Sequence, residues 1–117
     1  MQQERAQFAL EGVQQALKDK VNAKEYISYA SSLPAMIHTN GLGQAAAFFK
    51  SKGATHEKLY ELLSDWLKQD NQPFEGKDLL KGITTSDMKT YRLAQAEAQA
   101  LMDWVKKFAK AYMKVEE

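Results

Sequence analysis

Apolar residues recur at intervals of three and four along most of the chain, and strict alternation of apolar and polar residues is almost absent. This spacing is typical of amphipathic helices rather than of strands. Only two prolines and six glycines interrupt the pattern. The sequence therefore predicts an all-α protein, a compact bundle of about five to six helices. The predicted helices span about 3–18, 22–39, 42–51, 55–70 and 86–113, with a short helical turn at 77–81 inside a loop.

Local signals set the predicted ends of these helices. Pro34 lacks an amide donor and disfavours helical geometry at Leu33, so we expect a kink or break there. Asn40-Gly41 predicts a stop, because both residues tolerate left-handed backbone geometry. Thr55 is the predicted N-cap of the fourth helix. The last helix has three alternative caps: Thr84, Thr85 and Ser86.

The last helix is predicted to be the longest, and it carries an apolar seam at heptad spacing. A second apolar stripe lies beside that seam. We expect one stripe to pack inside the domain and the neighbouring one to meet a partner. The seam consists of Tyr91, Ala94, Ala98, Leu101, Val105, Phe108 and Tyr112, and the second stripe of Met102, Ala109 and Met113.

Length and composition narrow the class of protein. The 117 residues suit one helical domain covering 1–117. Sixteen basic and fifteen acidic residues give a net charge of +1, so any phosphate contact must come from the layout of charge. The absence of cysteine excludes disulfides and thiolate chemistry and fits a reducing, cytoplasmic location. No signal peptide is indicated, and the longest apolar run, Ala45 to Phe49, is too short to span a membrane.

Catalytic and metal-binding patterns are missing from the sequence. His38 and His56 lie on different predicted elements and form no two-histidine motif. Glu57 and Glu61 share a helix face that the pattern predicts to be solvated, which does not favour a catalytic pair. Gly76-Lys77 lacks the rest of a phosphate-binding loop. We therefore predict no enzymatic activity, no cofactor, no metal and no small-molecule substrate.

The positions of the basic residues along the chain give the remaining indication of function. A lysine cluster follows Trp104 near the end of the last helix, and no acidic residue lies between Trp104 and Met113. Cations at this position also complement the helix dipole and favour solubility, so the cluster has a plain structural explanation. If Trp104 is exposed, it is a partner-contact residue. The basic groups are Lys106, Lys107, Lys110 and Lys114, then Lys50 and Lys52, then Lys89 and Arg92.

Three stretches of the chain resemble a known family, the small all-helical subunit of the Cmr-type (type III-B) CRISPR RNA-guided effector complex. The resemblance covers nearly the whole chain. The first stretch contains Arg5-Ala6, Ala9 and Val13; the second contains Leu33-Pro34, Ile37, Asn40-Gly41-Leu42, Gln44, Ala47-Phe48 and Ser51-Lys52; the third contains Tyr91-Arg92, Glu97-Ala98 and 104–111.

The resemblance implies a non-catalytic subunit of an antiviral defence complex. Several copies would stack into a minor filament, contact the large polymerase-like subunit and the backbone subunits, and line the groove that holds the guide RNA–target RNA duplex. Cleavage of target RNA would belong to the backbone subunits and cyclic-nucleotide synthesis to the large subunit. The candidate contacts with RNA backbone or with other subunits are Arg5, Lys50, Lys52, Arg92, Lys106, Lys107 and Lys110.

Three other interpretations remain open from the sequence. The small subunit of the related Csm-type complex has a similar role and is the nearest alternative family. A protein-only helical adaptor would dock a partner helix through the long C-terminal helix. A small hydrolase with an unrecognised site would require a buried, pKa-shifted His38 or carboxylate in a cleft.

Overall fold

The computed structural model describes residues 2–114 and contains six helices, with no strand in that range. The predicted all-α fold is confirmed, and so is the long C-terminal helix. The helices are α1 (Gln2–Lys18), α2 (Ala23–Asn40), α3 (Leu42–Lys52), α4 (Ala54–Leu67), α5 (Leu79–Thr85) and α6 (Met88–Tyr112).

Helix α6 forms the centre of the bundle and packs mainly against α1 and α2. The middle of the predicted seam is buried, but Tyr112 at its end is half exposed. The second stripe enters the core instead. A straight helix with 3.6 residues per turn drifts by about 20° per heptad from a strict 3.5-residue repeat, so the buried face moves from one stripe to the next along 25 residues. The buried residues of α6 are Ala94, Ala98, Leu101, Met102, Val105 and Ala109.

Helix α2 runs through Pro34 without interruption, so the predicted break is wrong. A proline inside a helix costs about 3 kcal/mol relative to alanine. Leu33, Pro34 and Ile37 are all buried, and each buried aliphatic side chain contributes about 1.5–3 kcal/mol. Packing against the rest of the bundle therefore outweighs the local preference. The predicted stop after Asn40 is confirmed, since Gly41 follows with a φ of +86°.

The predicted N-caps of α4 and α6 are wrong. Helix α4 begins at Ala54, and Thr55 lies inside its first turn, where its hydroxyl donates to Glu25 Oε1 at 3.0 Å. The cap of α6 is Asp87, one residue beyond Ser86, and its carboxylate accepts the Thr90 amide at 2.8 Å. Aspartate is a good N-cap residue, so the sequence contained this signal. The contact between Thr55 and Glu25 joins two helices, and no local signal could show it.

The N-terminus of α3 is capped by side chains of α6. Gln95 Oε1 accepts the amide of Leu42 at 2.9 Å, and the Tyr91 hydroxyl accepts the amide of Gly43 at 2.9 Å. Both amides lack partners within their own helix, as the first amides of every helix do. This long-range cap fixes the junction between α2 and α3 against the N-terminal part of α6.

Helix α5 is longer than the predicted turn at 77–81 and begins two residues later. Asp78 precedes it and accepts hydrogen bonds from the Tyr60 hydroxyl at 2.7 Å and the Ser64 hydroxyl at 3.2 Å. Gly82 lies against the ring of Phe74 so closely that a Cβ atom there would overlap the ring. The loop before α5 is thus attached to α4 by hydrogen bonds and to α5 by close packing.

Candidate nucleic-acid interface

Arg5 is part of an internal ion pair. Its Nε and Nη2 atoms donate to the two carboxylate oxygens of Glu97 at 2.7 and 2.9 Å. The indole nitrogen of Trp66 donates to the same carboxylate at 2.8 Å. The side chains of Arg5 and Glu97 are only 14% and 18% exposed. This cluster joins α1, α4 and α6, and it leaves the charge of Arg5 largely neutralised.

The electrostatics of Glu97 match this geometry. The hydrogen bond from Arg5 lowers the pKa of Glu97, burial opposes that shift, and the hydrogen bond from Trp66 lowers the pKa further. The same contact raises the pKa of Arg5. Both groups are therefore held in their charged forms, as a structural pair requires.

Lys50 and Lys52 end α3 and differ in their contacts. Lys50 Nζ lies 2.8 Å from Glu57 Oε2 and 5.0 Å from the centre of the Tyr60 ring. Lys52 Nζ lies 5.3 Å from the centre of the exposed Phe48 ring and has no ion pair among residues 2–114. The charge of Lys52 therefore has no carboxylate partner within the described residues, whereas Glu57 offsets the charge of Lys50.

The lysine cluster of α6 lies on the outer side of the bundle. Lys106 is 3.8 Å from Asp103, whereas Lys107 and Lys110 are exposed and form no ion pair within the described range 2–114. Arg92 is also exposed and has no ion pair in that range. It precedes Lys110 by eighteen residues, which is five turns or about 27 Å along the helix axis. Arg92 and Lys110 therefore point to the same side of α6 but at its opposite ends.

An aromatic row borders these lysines. The rings of Trp104 and Phe108 are stacked with their centres 5.5 Å apart, and Tyr112 follows at 6.4 Å from Phe108. Trp104 and Phe108 are partly buried, and Tyr112 is 50% exposed. Phe108 and Tyr112 belong to the predicted seam at the end where it leaves the core, and Trp104 lies beside them, so the row has an exposed edge at Tyr112.

The two histidines lie in different environments. His38 is exposed on α2. His56 stacks on Tyr29 with ring centres 3.8 Å apart and contacts Phe49 edge to face at 5.0 Å. Partial burial lowers the pKa of His56, and the nearby charge of Lys52 lowers it further. In the described part of the chain, no three histidine, aspartate or glutamate side chains approach closely enough to hold a metal ion.

An acidic groove that the sequence did not predict lies between α1 and α4. It is lined by charged residues of both helices and has a volume of about 420 Å³. The four-residue spacing of Glu11, Gln15 and Asp19 marked a polar face on α1. Nothing in the sequence showed that Glu61 and Asp65 of α4 face them across a groove, because that arrangement depends on packing.

These features define an all-helical protein with a basic face on α6 and a separate acidic groove between α1 and α4. No helix among the described residues is long and apolar enough to cross a membrane. The model of the family described as "CRISPR-associated protein (Cas_Cmr5)" matches residues 1–112.

A sequence comparison and a structure comparison agree with the family match. The "CRISPR system Cmr subunit Cmr5" of Thermus thermophilus is 30% identical over 106 residues, which cover 91% of this chain and 90% of that protein. The X-ray crystal structure of a CRISPR-associated Cmr5 family protein from Thermus thermophilus aligns with a TM-score of 0.81 and 29% identity, covering 97% of this chain and 98% of that one. The chain belongs to the Cmr5 family, which confirms the resemblance to the Cmr-type small subunit.

Proposed function

We propose that this protein is a non-catalytic structural subunit of a type III-B CRISPR (Cmr) RNA-guided effector complex. Copies of it stack into the minor filament and line the groove that holds the guide RNA–target RNA duplex during antiviral defence. Family membership supports the assignment to the complex. The observation that supports an RNA-facing side is the pair Lys107 and Lys110, which are exposed on α6 and have no ion pair among residues 2–114.

The chemistry of this face suits the RNA backbone rather than its bases. Lysine ammonium groups bind phosphates as point charges and carry no sequence information. The bases of an A-form duplex are also hard to reach, because its major groove is deep and narrow. A subunit that follows a guide of any sequence needs contacts of this kind. With a net charge of +1, each copy makes few such contacts, and binding is shared along the filament.

The partners in this proposal are the large polymerase-like subunit, the backbone subunits, further copies of this chain, and the two RNA strands. The catalytic steps belong to the larger subunits. This chain needs no cofactor for the role, takes no small-molecule substrate and acts in the cytoplasm. Lys52 and Arg92 are secondary RNA contacts, since both are exposed and clear of carboxylates within residues 2–114. Lys50 and Arg5 support the fold through their ion pairs.

The test reverses the charge of the α6 face in the assembled complex. The variant Lys106→Glu, Lys107→Glu, Lys110→Glu should still fold, because these side chains lie outside the core. We expect weaker retention of RNA and a smaller dependence of RNA affinity on salt, since fewer counterions are released on binding. Retention is measured by filter binding over a range of salt concentrations.

The matched control changes the same net charge elsewhere. Lys18, Lys24 and Lys77 are exposed and have no ion pair in the described range 2–114, so their replacement by glutamate tests the effect of net charge alone. We expect the control complex to retain more RNA than the α6 variant. Equal salt-dependent binding by the α6 variant and the unmodified protein would contradict the proposal.

The aromatic row on α6 supports a second candidate function, a protein-only adaptor that docks a partner helix. Tyr112 is the exposed end of that row, so Tyr112→Ala should abolish partner capture without loss of fold. Met102 is fully buried and is unsuitable for this test, because a charge there would disrupt the core. Loss of partner capture in Tyr112→Ala with no RNA binding by the assembled protein would favour the adaptor.

A further inference from the structure

The groove between α1 and α4 has an apolar floor. Its depth depends on Gly12, which has no side chain: a Cβ atom at this position would lie 2.6 Å from Leu62 Cδ1. The groove is open to solvent and has a volume of about 420 Å³. Its floor is formed by Phe8, Gly12, Ala16, Tyr26 and Leu62.

The two walls of the groove are acidic. Helix α1 and its end contribute Glu11 and Asp19, and α4 contributes Glu61 and Asp65. The single lysine in the lining, Lys58, is bound to Asp19 at 2.6 Å.

The two walls differ in how far their carboxylates are neutralised. Asp65 pairs with Lys68 at 3.1 Å, outside the groove lining. Glu11 and Glu61 are exposed and have no ion pair among residues 2–114. Each wall therefore carries one carboxylate without an ion pair in the described range, although Glu61 also lies within electrostatic range of Lys50, which is paired with Glu57.

We infer that this groove docks a basic amphipathic helix from another protein subunit. The guest helix places an apolar stripe on the floor, as in other helix-in-groove complexes. Lysine or arginine residues on the two flanks of that stripe pair with Glu11 and Glu61. The match of an apolar centre with a charged rim is the usual anatomy of a protein interface. Opposite charges at the rim speed association and select the partner.

The charge and packing of the chain disfavour two other occupants, RNA and a second copy. RNA phosphates are repelled by four carboxylates with one lysine among them. A second copy is a poor guest, because most of the apolar side of its lysine-rich helix, α6, is buried in its own core and only the edge of the aromatic row is exposed. The guest is therefore a helix with a free apolar stripe, and it comes from a different chain. The inference rests on the proposed function only for the source of that helix, a neighbouring subunit of the same assembly.

The binding test uses the full chain and a fluorescein-labelled helical peptide of about eighteen residues, or five turns. The peptide carries leucine on one stripe and lysine on both flanks. A control peptide has glutamate in place of every lysine. We expect the lysine peptide to bind, with fluorescence anisotropy that falls as salt is added. We expect no binding of the glutamate peptide, and equal binding of both peptides would overturn the inference.

Two variants locate the peptide in the groove by charge. Glu11→Gln with Glu61→Gln keeps side-chain size and removes both unpaired carboxylates, so affinity should fall about tenfold. Glu4→Gln with Asp70→Asn removes two exposed carboxylates that lie outside the groove lining and have no ion pair among residues 2–114, and it should leave affinity unchanged. An equal loss in both double variants would show attraction to net charge alone and would also overturn the inference.

A third variant tests the floor without a change in charge. In Gly12→Ala, the new methyl group displaces the Leu62 side chain and alters the floor of the groove. We expect weaker peptide binding and an unchanged circular dichroism spectrum.

Sedimentation of the free chain tests the remaining alternative, that a second copy of the chain occupies the groove. Self-association that is lost in Glu11→Gln with Glu61→Gln would identify a second copy as the occupant and overturn the inference.

Failure of this inference is distinguishable from failure of the proposed function. None of the residues that line the groove belongs to α6. The lysine variants of α6 should therefore leave peptide binding by the free chain unchanged, even where they lower RNA retention by the complex. The groove variants should weaken peptide binding by the free chain, and the RNA retained for each copy incorporated into the complex should be unchanged. Loss of peptide binding in the α6 lysine variants would show that the peptide does not bind in the groove and would overturn the inference.

Discussion

Arg5 and Lys107 are both cations that the sequence nominated for contact with RNA or with other subunits, and the structure gives them opposite surroundings. Arg5 is 14% exposed and forms a two-point ion pair with Glu97. Lys107 is exposed on α6 with no ion pair among residues 2–114. The comparison teaches that the accessibility of a charge, rather than its presence in a pattern, decides whether it supports the fold or remains available to a ligand.

The largest expected effect is the loss of Arg5. Arg5→Ala leaves the Glu97 carboxylate partly buried without its cationic partner, and removal of one member of such a pair destabilises a protein by about 3 kcal/mol. Urea denaturation of the variant measures this change. The companion variant Arg5→Met with Glu97→Leu should recover part of the loss, because no unpaired charge remains. A free energy of unfolding unchanged by Arg5→Ala would contradict the structural role of the pair.

Acid should weaken the same contact by a smaller amount, because protonation of Glu97 leaves the Arg5 side chain in place. The pKa of Glu97 is lowered in the folded protein, first by the hydrogen bond from Arg5. The pair therefore stabilises the fold fully above the unfolded pKa of about 4.3, and this contribution is lost as pH falls through the folded pKa.

Melting curves over a range of pH test this dependence. The difference in stability between the unmodified protein and Glu97→Gln should be constant near neutral pH and should shrink in acid. A difference that grows in acid would show that the pKa of Glu97 is shifted in the opposite direction.

A weaker perturbation of the cluster is Trp66→Phe. This variant removes the indole donor to Glu97 while Arg5 keeps the carboxylate charged and paired. The loss of one hydrogen bond to a charged acceptor should cost about 1.5–3 kcal/mol, less any recovery through solvent. Thermal unfolding should place this variant between the unmodified protein and Arg5→Ala. Destabilisation greater than that of Arg5→Ala would show that packing of Trp66 dominates.

The smallest expected effect on stability is that of replacing Lys107 or Lys110, the exposed lysines of α6 that have no ion pair among residues 2–114. Lys107→Gln and Lys110→Gln should change the free energy of unfolding by no more than about 0.5 kcal/mol, as is usual for surface substitutions. Each should nevertheless make the plot of log affinity against log salt less steep by about 0.7–0.9 for every copy that contacts RNA in the assembled complex. Lys24→Gln is the matched control, since Lys24 is an exposed lysine of α2 with no ion pair among residues 2–114. A slope reduced equally in Lys24→Gln would show that the salt dependence reports net charge rather than contacts of α6.

A comparison of the predicted and observed helices shows how much of the fold local sequence patterns determine. The helical spacing predicted the fold class and most helix ends within a few residues, because amphipathic periodicity is strong in each segment. The break at Pro34 was wrong because burial of Leu33, Pro34 and Ile37 is a tertiary effect. The cap at Thr55 was wrong because its hydroxyl bonds to Glu25 of another helix.

The candidate contact residues also fall into two groups, those whose arrangement the sequence could show and those whose surroundings only the tertiary structure determines. The lysine cluster of α6 was visible in the sequence, since residues at helical spacing share a face whatever surrounds them. The pairing of Arg5 with Glu97 joins positions 92 residues apart, and no local pattern contains it. The acidic groove likewise needs two helices that are distant in the sequence. The sequence thus identified charges that could bind, and it could not tell which of them had partners.

The sequence by itself determined the helical class of this protein, the length of α6, the basic row on that helix and the family to which the chain is similar. Only the tertiary structure decided that α2 continues through Pro34 and that Arg5 is paired with Glu97. It also decided that an acidic groove lies between α1 and α4. The physical reason is range: helix periodicity depends on neighbours within one or two turns, whereas burial and ion pairing depend on segments that only folding brings together.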